Sequence, residues 1–201
     1  MKTIRLFVTK NKTAFIIAVV IFVAGSVLGA VSSCRLEPSE ADELKEYISP
    51  YLDIDIASML DRGAVFAADC INHIRFILMA ILCSVSIYLV PVFAFVLALK
   101  GYQLGFAAGF VSSYFGAGGT TLALSSTFVF YLFALPVYFC VFVCLLRFGA
   151  NIKLNLAHMS VRERTREYFY FILVMLVACS LLCVSAWVGA LITPLVADFM
   201  N

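Results

Sequence analysis

The sequence predicts an all-α integral membrane protein, a bundle of about five transmembrane helices. Of its 201 residues, 64% are hydrophobic, and only 14 basic and 12 acidic side chains are present. The mean hydropathy is +1.05, whereas a soluble domain is about half apolar. A soluble fold of this length would leave large apolar patches on its surface. The composition therefore excludes a soluble globular enzyme, and it excludes a disordered chain, which requires low hydrophobicity.

Uninterrupted apolar runs predict the individual spans, because a membrane helix needs about 20 apolar residues. A tight turn at Lys100-Gly101 separates the second span, which contains Pro91, from the third. Glycines 116, 118 and 119 separate the third from the fourth, since glycine weakens helices. The third span is short, and is either a full crossing or a re-entrant segment. The five predicted spans are Thr13–Cys34, Phe76–Leu99, Gly101–Phe115, Thr120–Leu146 and Phe169–Ala197.

The charges outside these runs predict the orientation, because Lys and Arg collect in cytoplasmic loops. The first twelve residues hold four basic side chains and no acid. Residues 35–72 hold nine acidic side chains, and residues 147–168 hold five basic ones. We expect one polytopic domain over residues 1–201, with the N-terminus inside and the C-terminus outside. Residues 35–72 then form an acidic extracytoplasmic segment and residues 147–168 a basic cytoplasmic loop. We expect the first span to be retained rather than cleaved as a signal peptide, because its apolar stretch is too long.

The acidic segment is the largest soluble piece of the chain. A helix is predicted from Glu40 to Ile48 and is expected to end at Ser49-Pro50. The segment is either a cap on the membrane surface or a docking surface for an extracellular partner. A disulfide between Cys34 and Cys70 would tie it down, and the sequence leaves this pairing open.

Glycines recur at four-residue intervals in two of the predicted spans, at Gly25 and Gly29 and at Gly101, Gly105 and Gly109. Small residues at this spacing share one helix face and let another helix approach closely. The pattern predicts helix packing, either within the chain or between copies in a homo-oligomer.

Chemistry-bearing groups are scarce in the apolar runs. The five runs contain no Asp, Glu, Lys, Arg or His, which argues against an ion-coupled transporter or a proton relay. Asp69, Cys70 and His73 lie at helical spacing and are interpreted as interfacial polar residues rather than zinc ligands. No nucleophile with a neighbouring base and no phosphate-binding loop is evident. We therefore expect a protein that is not an enzyme, with no catalytic residue, cofactor or metal and no nucleic-acid partner.

Several segments together resemble the stage II sporulation protein M family over nearly the whole chain. The most specific one is a proline followed by a Lys-Gly-x-x-x-Gly-Phe stretch, which here is Pro91 and then residues 100–106, continuing to Gly109-Phe110. The other matching segments are Gly25–Ala30, Asn72–Phe76 and Ile192–Pro194.

The resemblance implies a non-enzymatic scaffold in the cell membrane that anchors a peptidoglycan-degrading complex during engulfment in sporulation. Its implied partners are the lipid bilayer and membrane-anchored wall hydrolases resembling stage II sporulation proteins D and P. It implies location in the mother-cell membrane. The positions expected to matter for helix packing or complex assembly are Gly25, Gly29, Asn72, Pro91, Lys100, Gly101, Gly105 and Gly109. The alternative function is a channel or permease subunit for a neutral or small solute.

Overall fold

A computed structural model of the protein describes residues 11–52, 62–155 and 160–199, and every element within these ranges is helical. In chain order the elements are α1 (Lys12–Ser33), α2 (Pro38–Leu52), α3 (Arg62–Cys83), a 3₁₀ turn (Ile87–Leu89), α4 (Val90–Asn155) and α5 (Val161–Phe199).

Five helical stretches in the described ranges are long and apolar enough to cross a membrane. This confirms the predicted all-α membrane fold with five spans. The stretches are Lys12–Ser33, Phe66–Cys83, Val90–Ser113, Phe133–Ala150 and Val161–Gly189.

Helix α4 folds back on itself and supplies two of these spans. The ring centroids of Phe93 and Phe142 lie 6.3 Å apart, whereas 49 residues of straight helix would separate them by about 74 Å. The chain must therefore reverse direction between the two rings, and their midpoint in the sequence lies at residues 117–118, within the predicted glycine break. We call the first arm, Val90–Ser113, α4N, and the second arm, Phe133–Ala150, α4C.

The turn that precedes α4N is not where the sequence predicted it. Helix α3 ends at Cys83, and the chain turns over residues 84–89. The predicted turn at Lys100-Gly101 is therefore wrong, as are the bounds Phe76–Leu99 and Gly101–Phe115. Pro91 is the second residue of α4, where its missing N–H costs no helical hydrogen bond. The apolar run therefore joins two helices through a turn that carries no charge to mark it.

The soluble segments are more helical than predicted. Helix α2 passes through Pro50 to Leu52, so the predicted break at Ser49-Pro50 is wrong; a proline this close to a helix end removes only one hydrogen bond. Helix α3 begins at Arg62, so the C-terminal part of the predicted acidic segment 35–72 belongs to a span. The predicted basic loop 147–168 likewise lies partly in α4 and α5.

A reciprocal capping box starts α5. The Glu163 N–H donates to Ser160 Oγ (3.3 Å), and the Ser160 N–H donates to Glu163 Oε2 (2.9 Å). Two backbone donors that a helix N-terminus leaves open are thereby satisfied. This local signal, Ser-x-x-Glu, fixes the start of the last helix.

The core lies where α3 and α5 pack against the two arms of α4. The Phe76 ring lies 5.0 Å from that of Phe93 in α4N and 4.5 Å from that of Tyr138 in α4C. One side chain of α3 thus holds both arms together. Further fully buried side chains of this core are Leu97, Val141, Leu145, Met175 and Leu182.

Helix α1 packs parallel to α4N in constant register. Phe22 meets Gly101, Ser26 meets Gly105 and Ala30 meets Gly109. The Cys34 Sγ, 79 positions before Ser113, lies 3.8 Å from the Ser113 Oγ. We call this contact between α1 and α4N the glycine seam.

The seam brings the two backbones into direct contact. A Cβ atom on Gly29 would lie 2.7 Å from the backbone N of Phe106, and one on Gly105 would lie 2.7 Å from the Cα of Ser26. Any side chain at these positions would overlap backbone, which cannot swing aside. In lipid, where apolar association gains little from water, such close packing is a principal source of helix–helix attraction.

We therefore expect Gly105→Leu to separate α1 from α4N and to lower the thermal unfolding temperature in detergent. Overpacking usually costs about 1–3 kcal/mol, and the loss is at the upper end here because the obstacle is backbone. Ala108→Leu is the matched control, because Ala108 is exposed on the same helix. Equal unfolding temperatures for the two variants would contradict the seam.

Candidate functional site

A lysine lies inside the membrane-spanning part of the bundle. Lys100 is the eleventh of the 24 residues of α4N, and its side chain is only 7% exposed. It follows Phe93 and Leu97 at helical spacing, so it occupies a position on the buried stripe of the helix. The predicted surface turn is replaced by a cation in the bundle interior.

The ammonium group of Lys100 binds α3. Its Nζ donates to Asn72 Oδ1 at 2.6 Å. The carboxylate of Asp69, one turn before Asn72, attracts the same ammonium electrostatically. Residues three apart lie side by side on a helix, so α3 presents one amide oxygen and one carboxylate towards the lysine.

The next residue of α3 binds the other arm of α4. His73 Nδ1 and the Tyr138 hydroxyl are hydrogen-bonded at 2.8 Å, with both side chains 1% exposed. The Phe76 ring, which packs against the Tyr138 ring at a tilted angle, closes the apolar side of this pair. We call Asp69, Asn72, His73, Lys100 and Tyr138 the polar cluster.

The polar cluster ties three membrane segments together: α3, α4N and α4C. A lysine at the centre of a membrane helix costs about 2.5–3.5 kcal/mol on insertion scales. The Asn72 oxygen and the Asp69 carboxylate offset part of this cost, because both favour a positive charge. Membrane-embedded ionisable residues are the default candidates for function, so this cluster is the candidate functional site.

The sequence-based argument that the spans lack ionisable groups is therefore wrong. The stretches that match membrane spans include Asp69, His73, Arg75 and Lys100. The error follows from the predicted turn at Lys100-Gly101, which put Lys100 at a membrane surface. It also follows from starting the second span at Phe76, which left Asp69, His73 and Arg75 outside that span.

Seven of the eight residues expected to matter fall into two places. Gly25, Gly29, Gly101, Gly105 and Gly109 lie in the glycine seam. Asn72 and Lys100, 28 residues apart in the chain, meet in the polar cluster. Pro91 starts α4N. The Lys-Gly pair at 100–101 serves both places, since Gly101 contacts α1 while Lys100 reaches α3.

Sequence reasoning missed Tyr138 and misjudged Asp69 and His73. The signal for the latter two was the helical spacing of Asp69, Cys70 and His73, which was interpreted as interfacial polarity. Tyr138 carried no signal, because a tyrosine in an apolar run looks like any other core aromatic. Within the described ranges, no group of three or more His, Cys, Asp or Glu side chains is arranged to hold a metal ion.

The disulfide between Cys34 and Cys70, which the sequence left open, is not formed. All seven are free thiols, including Cys34 and Cys70. Cys34 lies beside Ser113 at the end of the glycine seam, whereas Cys70 contacts Cys183 of α5. Cys34 and Cys70 therefore pack against different helices.

Comparison with known proteins gives one result. Residues 18–194 match the family model described as Stage II sporulation protein M. The chain belongs to this family. The match covers the glycine seam, the polar cluster and nearly all of α5. No curated protein and no solved structure matches the chain. Family membership and the five apolar helices together indicate a multi-pass membrane protein from a family of sporulation proteins.

The contact between Lys100 and Asn72 generates a stability prediction. We expect Asn72→Leu to lower the free energy of unfolding by about 1–3 kcal/mol, because the ammonium loses its hydrogen-bond acceptor inside the bundle. Adding Asn72→Leu to Lys100→Met should cost much less, since the cation is already gone. The measurement is unfolding by an anionic detergent, followed by helix content.

Gln103→Leu is the matched control, because Gln103 is an exposed polar residue on α4N, the helix that carries Lys100. It should change stability little. Strictly additive effects of Asn72→Leu and Lys100→Met would show that the two side chains do not act as a pair.

Proposed function

We propose that the protein is a non-enzymatic membrane scaffold that anchors a peptidoglycan-degrading complex during engulfment. The observation that carries the proposal is the family match over residues 18–194. The partners would be membrane-anchored wall hydrolases resembling stage II sporulation proteins D and P. The protein would be located in the mother-cell membrane.

The design of the bundle supports a structural role. The polar cluster and the glycine seam both join helices to one another, and their groups are engaged in contacts within the chain. A bundle fixed in this way presents constant outer surfaces. A scaffold requires such surfaces more than it requires a moving or reacting site.

Helix α2 offers a charged surface on the side predicted to face the cell wall. Its first turn is stabilised by Glu40, since a negative charge near a helix N-terminus interacts favourably with the helix dipole. Five acidic side chains, one just before the helix and four along its first nine residues, are exposed: Glu37, Glu40, Asp42, Glu43 and Glu46. A partner with a basic surface would be attracted to this helix.

The test is recovery of wall hydrolases with the tagged protein from sporulating cells, in mild detergent. We expect a hydrolase to co-purify. Neutralising three exposed acids of α2 should reduce the recovery of the hydrolase several-fold, because the helix then attracts a basic partner less strongly. The comparison is made at low salt, since ions screen electrostatic attraction. The variant combines Glu40→Gln, Asp42→Asn and Glu43→Gln. Glu167→Gln, an acid near the start of α5, is the control.

Absence of every wall hydrolase from the wild-type preparation would overturn the scaffold proposal. Unchanged recovery from the α2 variant would leave the scaffold but remove α2 as its contact surface.

A second candidate function is a path for a small solute. The observation that favours it is the polar cluster itself, because ionisable side chains within membrane spans commonly line solute pathways. The scaffold proposal predicts that liposomes containing the purified protein take up glycerol and acetate no faster than protein-free liposomes do. Flux above that baseline that is lost in Lys100→Met would favour the solute path instead.

A further inference from the structure

A second cation of α3 lies at mid-membrane depth, outside the polar cluster. Arg75 is the tenth of the 18 residues of the span Phe66–Cys83, and its side chain is exposed. The span ends lie about 12 Å and about 14 Å away along the helix. An arginine side chain is shorter than either distance, so extension along the helix does not bring the guanidinium out of the span.

Arg75 points away from the bundle core. The core face of α3 is formed by His73, Phe76, Ile77 and Ala80, which are all buried. In the part of the chain that the structure describes, no carboxylate forms an ion pair with Arg75. Asp69, the one acid of the span Phe66–Cys83, interacts electrostatically with Lys100 instead.

The neighbours of Arg75 on this face are apolar, apart from one amide. Ile71 is 50% exposed and Leu78 is 52% exposed, as expected for side chains that face lipid or another membrane helix. Asn72, one turn before Arg75, is also exposed. Its oxygen accepts from Lys100, and its amide nitrogen carries two further hydrogen-bond donors. A charge and an amide at mid-membrane would be costly if this face met only lipid.

We propose that the α3 face formed by Ile71, Asn72, Arg75 and Leu78 binds the transmembrane helix of a partner that carries Asp or Glu at mid-membrane depth. The carboxylate would accept hydrogen bonds from the Arg75 guanidinium, a geometry that can be bidentate. Asn72 would donate to the same helix one turn away, and the two apolar residues would pack against its flanks.

Charge decides between this partner and a second copy of the chain. A second copy would bring another Arg75 or Lys100 to the face, and like charges in a low-dielectric environment repel strongly. Within the stretch Phe66–Cys83, the acid that a second copy could offer is Asp69. It lies six residues, or about 9 Å along the helix, from the depth of Arg75, and it interacts with its own Lys100. The occupant is therefore a different protein with its own membrane carboxylate. This inference rests on the proposed function in taking that occupant to be the membrane anchor of a wall hydrolase.

The test is site-specific photo-crosslinking in native membranes. A benzophenone side chain replaces Leu78 on the proposed surface or, as a control, Val174 on the exposed face of α5. We expect the Leu78 probe to form an adduct with a helix that contains a mid-membrane Asp or Glu. Arg75→Leu should lower the adduct yield at least tenfold, whereas Arg75→Lys, which keeps the charge, should retain much of it.

A charge exchange checks the pairing and shows that the variants fold. Arg75→Glu should abolish the adduct, and replacing the partner's acid with Lys should restore it. Adducts with lipid alone, with a second copy, or with a helix that has no acid would overturn the inference. So would an unchanged yield in Arg75→Leu.

The outcome also separates this inference from the proposed function. Equal co-purification and crosslinking of a hydrolase with wild type and Arg75→Leu would remove the α3 surface and leave the scaffold intact. An Arg75-dependent adduct with an acid-bearing helix, in a preparation with no hydrolase, would keep the surface and overturn the scaffold.

Discussion

The close contact of α1 with α4N is the constraint on which the rest of the bundle depends. Two helices whose backbones touch can meet in only one register, and the glycines at 25, 29, 101 and 105 fix that register. Because Lys100 precedes Gly101, fixing one face of α4N against α1 also fixes the direction of the lysine. The ammonium then meets α3 at Asn72, within the membrane-spanning part of the bundle rather than at a turn on the membrane surface.

The polar cluster supplies what the glycine seam cannot, which is a link between distant segments. Apolar side chains pack against one another with little preference for partners, whereas a lysine and a histidine inside a membrane require particular groups. Lys100 selects Asn72, and His73 selects Tyr138. Together these two contacts align α3 with both arms of the folded α4. A bundle joined in this manner holds its outer faces in fixed positions, as a scaffold requires.

The polar groups of α3 divide between the inside and the outside of the bundle. Asp69 and His73 face inward and act on the other helices. Arg75 faces outward with no carboxylate paired to it among the described residues. One helix thus holds the chain together on one face, and on the other it presents the charge to which we propose that a partner binds. This division is a physical reason for keeping costly polar residues in a membrane span.

Composition and charge were enough to determine the fold class, because apolar content and span length are properties of the chain alone. The glycine spacing also identified the packing residues, since small residues at four-residue intervals share a face in any helix. The turn between α3 and α4N escaped prediction, because residues 84–89 carry no charge and because membrane helices tolerate an interior proline, so that Pro91 did not mark a helix start. Only the tertiary structure decided that Lys100 is buried and meets Asn72, since a Lys-Gly pair is as typical of a turn between two spans as of a position inside a helix. Hydrogen bonds between residues 28 and 65 positions apart leave no local trace, and they exist only once the helices have packed.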